Sequence, residues 1–274
     1  MAIRRALKRL VLIISVCLGM MLCMSDKRYL PSVSEMQSYG SDFLDIFSGM
    51  LRDLKHTAAV SPSSPWLVNA IAQYVPLNST IKILEVGAGP GTVTRKIIER
   101  MTPGSSLDVV EYSPELFDAL SANLGKERDA SNGKINFYRA SIEEWFPPYE
   151  TDGHYDLIIS TIPRTQLPFT VVQKILDRYD QMLASGGVLV SVTLAGATAM
   201  TSFSKKQSYW WAAVGNRLTS GYTATLERSR GDLVDYQDRI ELISKWEQER
   251  LRPLGTTLVC LNIPPVYVFG FRKR

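Results

Sequence analysis

The run Ile83-Leu84-Glu85-Val86-Gly87-Ala88-Gly89-Pro90-Gly91-Thr92 carries the strongest chemical signal in the chain. An apolar stretch ends in three glycines at alternate positions and feeds a segment of helical character. Glycine lets a backbone turn sharply and approach a ligand, and the helix start beyond it presents free amide groups. Twenty residues after Gly91 stands Glu111, at the end of the next apolar run. A carboxylate there is suited to accept hydrogen bonds from both hydroxyls of a ribose, so the pair points to a cofactor that contains adenosine. A dinucleotide fingerprint would want glycine or alanine at position 92, where Thr92 stands.

A second candidate is Ser160-Thr161-Ile162-Pro163-Arg164, after another apolar run. The planar fork of Arg164 suits phosphate oxygens on a substrate, and Pro163 would line the same slot; the other reading of Arg164 is a structural arginine. Metal and thiol chemistry have little to work with. The chain has two histidines, His56 and His154, and three cysteines, of which Cys17 and Cys23 lie near the N-terminus and only Cys260 in the body.

With the acidic residue, one spacer and G-x-G-x-G filled by Glu85, Gly87, Gly89 and Gly91, the sequence resembles the class I methyltransferases. That resemblance implies S-adenosyl-L-methionine as cofactor. It places Gly87, Ala88, Gly89 and Gly91 along the methionine part, Glu85 near its amino group, and Glu111 with Tyr112 at the ribose end. Ala140 and Ser141 take the adenine position where the family often has an Asp, and Ser160 borders the cofactor. Enzymes of this kind that act on adenine commonly carry a stacking aromatic where Arg164 stands. A dehydrogenase and a non-catalytic relative are the other readings of the glycine loop.

Ala58-Ala59-Val60-Ser61-Pro62-Ser63-Ser64-Pro65, Glu111-Tyr112-Ser113, the 160–168 stretch and Asn262-Ile263-Pro264-Pro265 resemble the bacterial phospholipid N-methyltransferases. The resemblance implies a membrane lipid or amphiphilic small molecule as acceptor. Ribosomal RNA adenine dimethyltransferases share the layout and supply the nucleic-acid alternative. Carbonyls near 160–162, Tyr112 or Tyr39 could help an amine lose its proton, and no catalytic residue is assigned among them.

These residues need a scaffold, and the pattern supplies one. Apolar runs at 82–86, 106–111, 135–138, 155–162 and 187–193 alternate with helical patterns at 92–101, 114–124 and 169–183, which predicts a parallel sheet covered by helices on both faces. Ser64 and Pro65 are placed to cap and start a helix over 66–74. Segments 256–261 and 266–271 would pair at the end, completing the Rossmann-like, mostly parallel, seven-stranded α/β sheet that the resemblance implies. We divide the chain into a segment 1–24, a helical region 25–77 and a cofactor-binding domain 78–274. About 200–253 is set apart as an insertion that includes Tyr209-Trp210-Trp211 and a charged helical stretch.

With 45% hydrophobic and 21% charged residues the chain has the content of a folded protein. Of its 31 Lys and Arg, Arg4, Arg5, Lys8 and Arg9 stand in a stretch without acids, so the others match the 27 Asp and Glu and the body is formally neutral. That makes nucleic acid the less favoured partner. Residues 10–24 form an apolar run behind the basic cluster, short for a spanning helix. A cytoplasmic cofactor leaves two resolutions: the run lies in the membrane interface, or translation starts at Met20, Met21 or Met24. Either way the expected location is the cytoplasm, at or near the inner face of the membrane. Phe43, Ile46, Phe47, Met50, Leu51 and Leu54 recur at helical spacing, as in a helix packed on the domain or on a membrane surface.

Overall fold

The computed structural model describes residues 63–148, 153–194, 233–259, 262 and 266–274. Its centre is one seven-stranded sheet of β1 (Lys82–Val86), β2 (Ser106–Glu111), β3 (Ile135–Arg139), β4 (Tyr155–Ser160), β5 (Leu183–Leu194), β6 (Leu251–Val259) and β7 (Val266–Lys273). The order is β3-β2-β1-β4-β5-β7-β6, and only β7 runs against its neighbours. This is the mostly parallel sheet expected from the sequence.

The helices are α1 (Pro65–Ala72), α2 (Thr92–Arg100), α3 (Pro114–Ala130), α4 (Phe169–Met182) and α5 (Leu233–Arg250), with a short 3-10 turn at Arg164–Gln166. Ser64 caps α1 as expected, its hydroxyl accepting from Leu67 N at 3.2 Å. Strand side chains alternate between two cores because successive residues face opposite sides. Ile83, Leu107, Val109 and Ile159 pack with α1, α2 and α3. Leu84, Val110, Ile158 and Leu189 pack with α4 and α5 on the other face. Burial on both faces explains why the strands read as nearly continuous apolar runs.

Within the stretch set apart as an insertion, the structure places two regular elements. Helix α5 buries Ile243 and Trp246 in the second core, and β6 starts at Leu251 and forms the sheet edge beside β7. Edge position accommodates Pro253, where the register with β7 slips between Pro253 and Gly255. The segments 1–24 and 43–54, the trio Tyr209-Trp210-Trp211 and the prolines Pro264 and Pro265 lie outside the described residues. No helix among the described residues is long and apolar enough to cross a membrane.

Candidate functional site: a cofactor cradle at the carboxyl ends of the strands

Strand β1 ends at Val86, and the glycine loop folds over the strand ends. Gly87 N donates to Val110 O at 2.8 Å, with φ +81. A Cβ at Gly87 would lie 2.6 Å from the Ile162 side chain, so only glycine lets the first loop close on the loop after β4. Gly89 is the opposite case. Its φ is +57, but a Cβ there meets nothing within 4 Å, so its open side is space for a ligand. Gly91 forms the N-cap of α2 in the left-handed region and supplies no side-chain cap, which leaves the first-turn amides without that partner.

Glu111 ties this loop to the next. Its Oε2 accepts from Gly89 N at 2.8 Å and its Oε1 from Ser113 N at 2.9 Å. Each oxygen keeps capacity for another donor, as ribose hydroxyls would require. Ala140 N donates to Glu111 O at 3.1 Å, bringing the end of β3 alongside, and Ser141 O accepts from Trp145 N at 2.8 Å to start the turn that follows. Tyr112 is 74% exposed beside Glu111. Ser113 caps α3, so the residue that braces the carboxylate also starts a helix.

Glu85 is fully buried and neither carboxylate oxygen has a hydrogen-bond partner; the Thr94 hydroxyl, on the first turn of α2, is unpartnered as well. Burial pushes the Glu85 carboxyl up to about 8, with the Thr94 hydroxyl, short of full hydrogen-bond geometry, pulling against it and the Glu111 charge adding to it. A buried acid without a full hydrogen bond has capacity for a further partner.

The loop after β4 differs from the expectation at Arg164. Ser160 is buried at the strand end opposite Val86, and its Oγ accepts from Tyr179 of α4 at 2.8 Å. Arg164 is 4% exposed, and its Nη2 lies 3.1 Å from Glu247 of α5 and also donates to Ser191 of β5. This corrects the reading of Arg164 as a phosphate clamp: its charge is already matched by a buried acid, so it acts as a tie between the loop, β5 and α5. Pro163, half-buried, precedes the 3-10 turn that this tie anchors.

The sequence offers Thr161 and Asn262 only as members of motifs, without these contacts, and gives no sign of Arg239; the structure shows that all three hold the rim together. Thr161 N donates to Val86 O at 3.0 Å, and the Thr161 hydroxyl donates to Gly87 O, so Thr161 locks the β4 loop to the glycine loop. Arg239 Nε of α5 holds Thr165 O at 3.2 Å. Asn262 Oδ1 accepts from Ser64 N at 3.1 Å, which joins two segments that had stood out separately in the sequence.

Glu85, the glycine loop, Glu111, Ala140 and Ser160 thus share one edge of the sheet, at the carboxyl ends of β1 to β4, where ligands bind in such folds. The residues fit S-adenosylmethionine: Glu85 is a buried acid lacking a partner for a cation, Gly89 borders open space, and Glu111 can receive hydroxyls. Bound there, the cofactor would supply a methyl group on a sulfonium that is itself the leaving group. No group of three or more His, Cys, Asp or Glu suited to a metal occurs among the described residues.

A family profile described as AdoMet dependent proline di-methyltransferase matches residues 33–213. The chain is 25% identical over 154 residues to an ornithine lipid N-methyltransferase of Singulisphaera acidiphila, covering 54% of this chain and 78% of that protein. It is 32% identical over 108 residues to a trans-aconitate 2-methyltransferase of Streptomyces avermitilis, covering 39% of this chain and 37% of that protein, so it spans little more than a third of that relative. Among solved structures, a geranyl diphosphate methyltransferase in complex with GPP and sinefungin shares the fold at a TM-score of 0.50, with 11% identity over 77% of this chain and 79% of the other. The chain belongs to the AdoMet-dependent proline di-methyltransferase family and is an S-adenosylmethionine-dependent methyltransferase.

Proposed function

We propose that this enzyme N-methylates an aliphatic amine carried on a membrane lipid or similar amphiphile. The observation that carries the reading is the rim after β4. This described stretch presents Ser-Thr-Ile-Pro and turns Arg164 inward, so residues 160–164 supply no ring on which to stack a nucleobase. The formally neutral body offers little counterion-release affinity for RNA. The likeness to an ornithine lipid N-methyltransferase over most of that relative's length supports a lipid amine. A second reading, a proline nitrogen, is favoured by the family description.

The chain's own part in the reaction is alignment and exclusion of water, because the leaving group needs no acid. Thr161 and Arg164 fix the rim that the acceptor nitrogen would face. Ile162 O already accepts from Arg164 N at 2.8 Å and has one lone pair left to orient an amine. The acceptor would be met at the cytoplasmic face of the membrane, a placement supported by the basic residues 4–9 and the apolar run 10–24.

The test is methyl transfer from tritiated S-adenosylmethionine by the full chain to vesicles containing ornithine lipid or phosphatidylethanolamine, to a peptide with N-terminal proline, and to ribosomal RNA. Label in extracted lipid supports the proposal. Label in the peptide alone replaces it with the proline reading, and label in RNA alone replaces it with the nucleic-acid alternative.

A further inference from the structure

Glu85 lies on β1 between Val109 of β2 and Ile159 of β4, with Thr94 in the first turn of α2 beyond it. Its carboxyl has no exposed surface and no hydrogen bond of full geometry; the Thr94 hydroxyl is the donor that acts on it, and it offsets only part of the effect of burial. Among the described titratable groups the Glu111 carboxylate acts on it, and with the same sign of charge. An ionised carboxylate so placed would be a bare negative charge out of water, a state far less favourable than the acid that keeps its proton. Burial accordingly raises its affinity for a proton into the range where it is neutral at pH 7.

We propose that the site takes up S-adenosylmethionine by proton exchange: Glu85 is a neutral acid in the empty enzyme, releases its proton to solvent as an ammonium group arrives, and so selects ligands that carry an amino-acid tail over nucleosides that lack one. This rests on the assignment of Glu85 as the neighbour of the cofactor's amino group. The balance is simple. A neutral acid and an ammonium ion become a carboxylate beside an ammonium ion, and one proton leaves to the buffer. An opposite charge within about 4–6 Å is enough to favour the ionised carboxyl, so direct contact is not required.

Two consequences follow by linkage. Between the pH at which Glu85 ionises beside the bound ammonium and the pH at which it ionises unaided, affinity for the cofactor rises about tenfold per pH unit. The rise ends near pH 8, where Glu85 ionises unaided and no proton is left to release. Selectivity comes from the same exchange, since a ligand without the ammonium leaves Glu85 protonated and gains nothing from its charge.

Calorimetric titration of the full chain at pH 6.5, in buffers of different ionisation enthalpy, tests this with S-adenosylhomocysteine and methylthioadenosine, which share the adenosine part and differ in the amino-acid tail. The expected result is release of about one proton per site with S-adenosylhomocysteine and none with methylthioadenosine. Glu85→Gln should bind S-adenosylhomocysteine without proton release. If that variant does not fold, the two ligands on the natural protein still decide. Binding of S-adenosylhomocysteine with no buffer dependence, or equal release with both ligands, overturns the proton exchange and leaves the cofactor site standing. Failure of S-adenosylhomocysteine to bind at all overturns both.

Discussion

Two buried acids on adjacent strands have opposite surroundings. Asp108 of β2 is paired in register with Leu84 of β1, one residue short of Glu85, and faces the other side of the sheet. It accepts from the Tyr155 hydroxyl at 2.7 Å and from Asn136 Nδ2 at 3.0 Å. Burial raises its proton affinity, and the hydrogen bonds from Tyr155 and Asn136 offset part of the rise, with the nearby His154 charge helping. Glu85 has no such bonds. The satisfied acid joins β2, β3 and β4 near the start of β4, whereas the unsatisfied one stands at the ligand end of β1. Of these two acids, the one completed by hydrogen bonds joins three strands, and the one without them stands at the end of the sheet where the glycine loop lies.

The contrast can be broken in several ways. The largest effect should come from the buried ion pair of Arg164 and Glu247. Glu247→Ala strands Arg164 as a buried cation, and urea denaturation should show a loss of about 3–5 kcal/mol. The double variant Arg164→Met with Glu247→Leu should recover most of it. Tyr155→Phe removes one hydrogen bond from Asp108 and should lower stability by about 1.5–3 kcal/mol, while affinity for S-adenosylhomocysteine stays within twofold, or about 0.4 kcal/mol. An equal loss of affinity would mean that the two ends of the sheet are not independent.

Stability against pH should sharpen the comparison. Glu85 and Asp108 both bind protons more tightly folded than unfolded. Their stabilising contribution is therefore complete below the unfolded carboxyl range of about 4 and is lost as pH rises, for Glu85 through about 8. Denaturation of the empty protein between pH 5 and 8 should show falling stability, and Glu85→Gln should flatten the slope while staying within about 1 kcal/mol of the natural protein at pH 5. Saturating S-adenosylhomocysteine should flatten it too. The smallest effect is expected for Gly89→Ala, which has room for its methyl group but a left-handed backbone, and should lose about 1 kcal/mol of stability.

What could be read from the sequence follows the reach of each interaction. β1 and β2 match their expected bounds because each is a short apolar run closed by a turn, and Glu111 could be found because strand, glycine loop, helix and strand follow in a fixed rhythm. Arg164 could not be placed, because its partner Glu247 is 83 residues away and nothing local says that the pair is buried. Tyr155 and Asp108 are 47 residues apart, and their pairing is illegible in the sequence for the same reason. Helix α5 reads in the sequence as a charged helical stretch and not as part of the core, because buried Arg239, Ser244 and Glu247 interrupt its apolar stripe. Pro253 and Gly255 likewise hid the first half of β6, residues that an edge strand tolerates and a central one does not.

The most direct measurement is the affinity of S-adenosylhomocysteine for the natural protein and for Glu111→Ala. Glu111 is the side chain through which Gly89, Ser113 and the cofactor's ribose would all be held. Calorimetry should show binding weakened by about 1–3 kcal/mol, roughly 5- to 150-fold, the scale of lost charge-assisted hydrogen bonds. If Glu111→Ala binds S-adenosylhomocysteine as tightly as the natural protein, the cofactor does not occupy the cradle between the glycine loop and Glu111, and the assignment of this edge of the sheet is wrong.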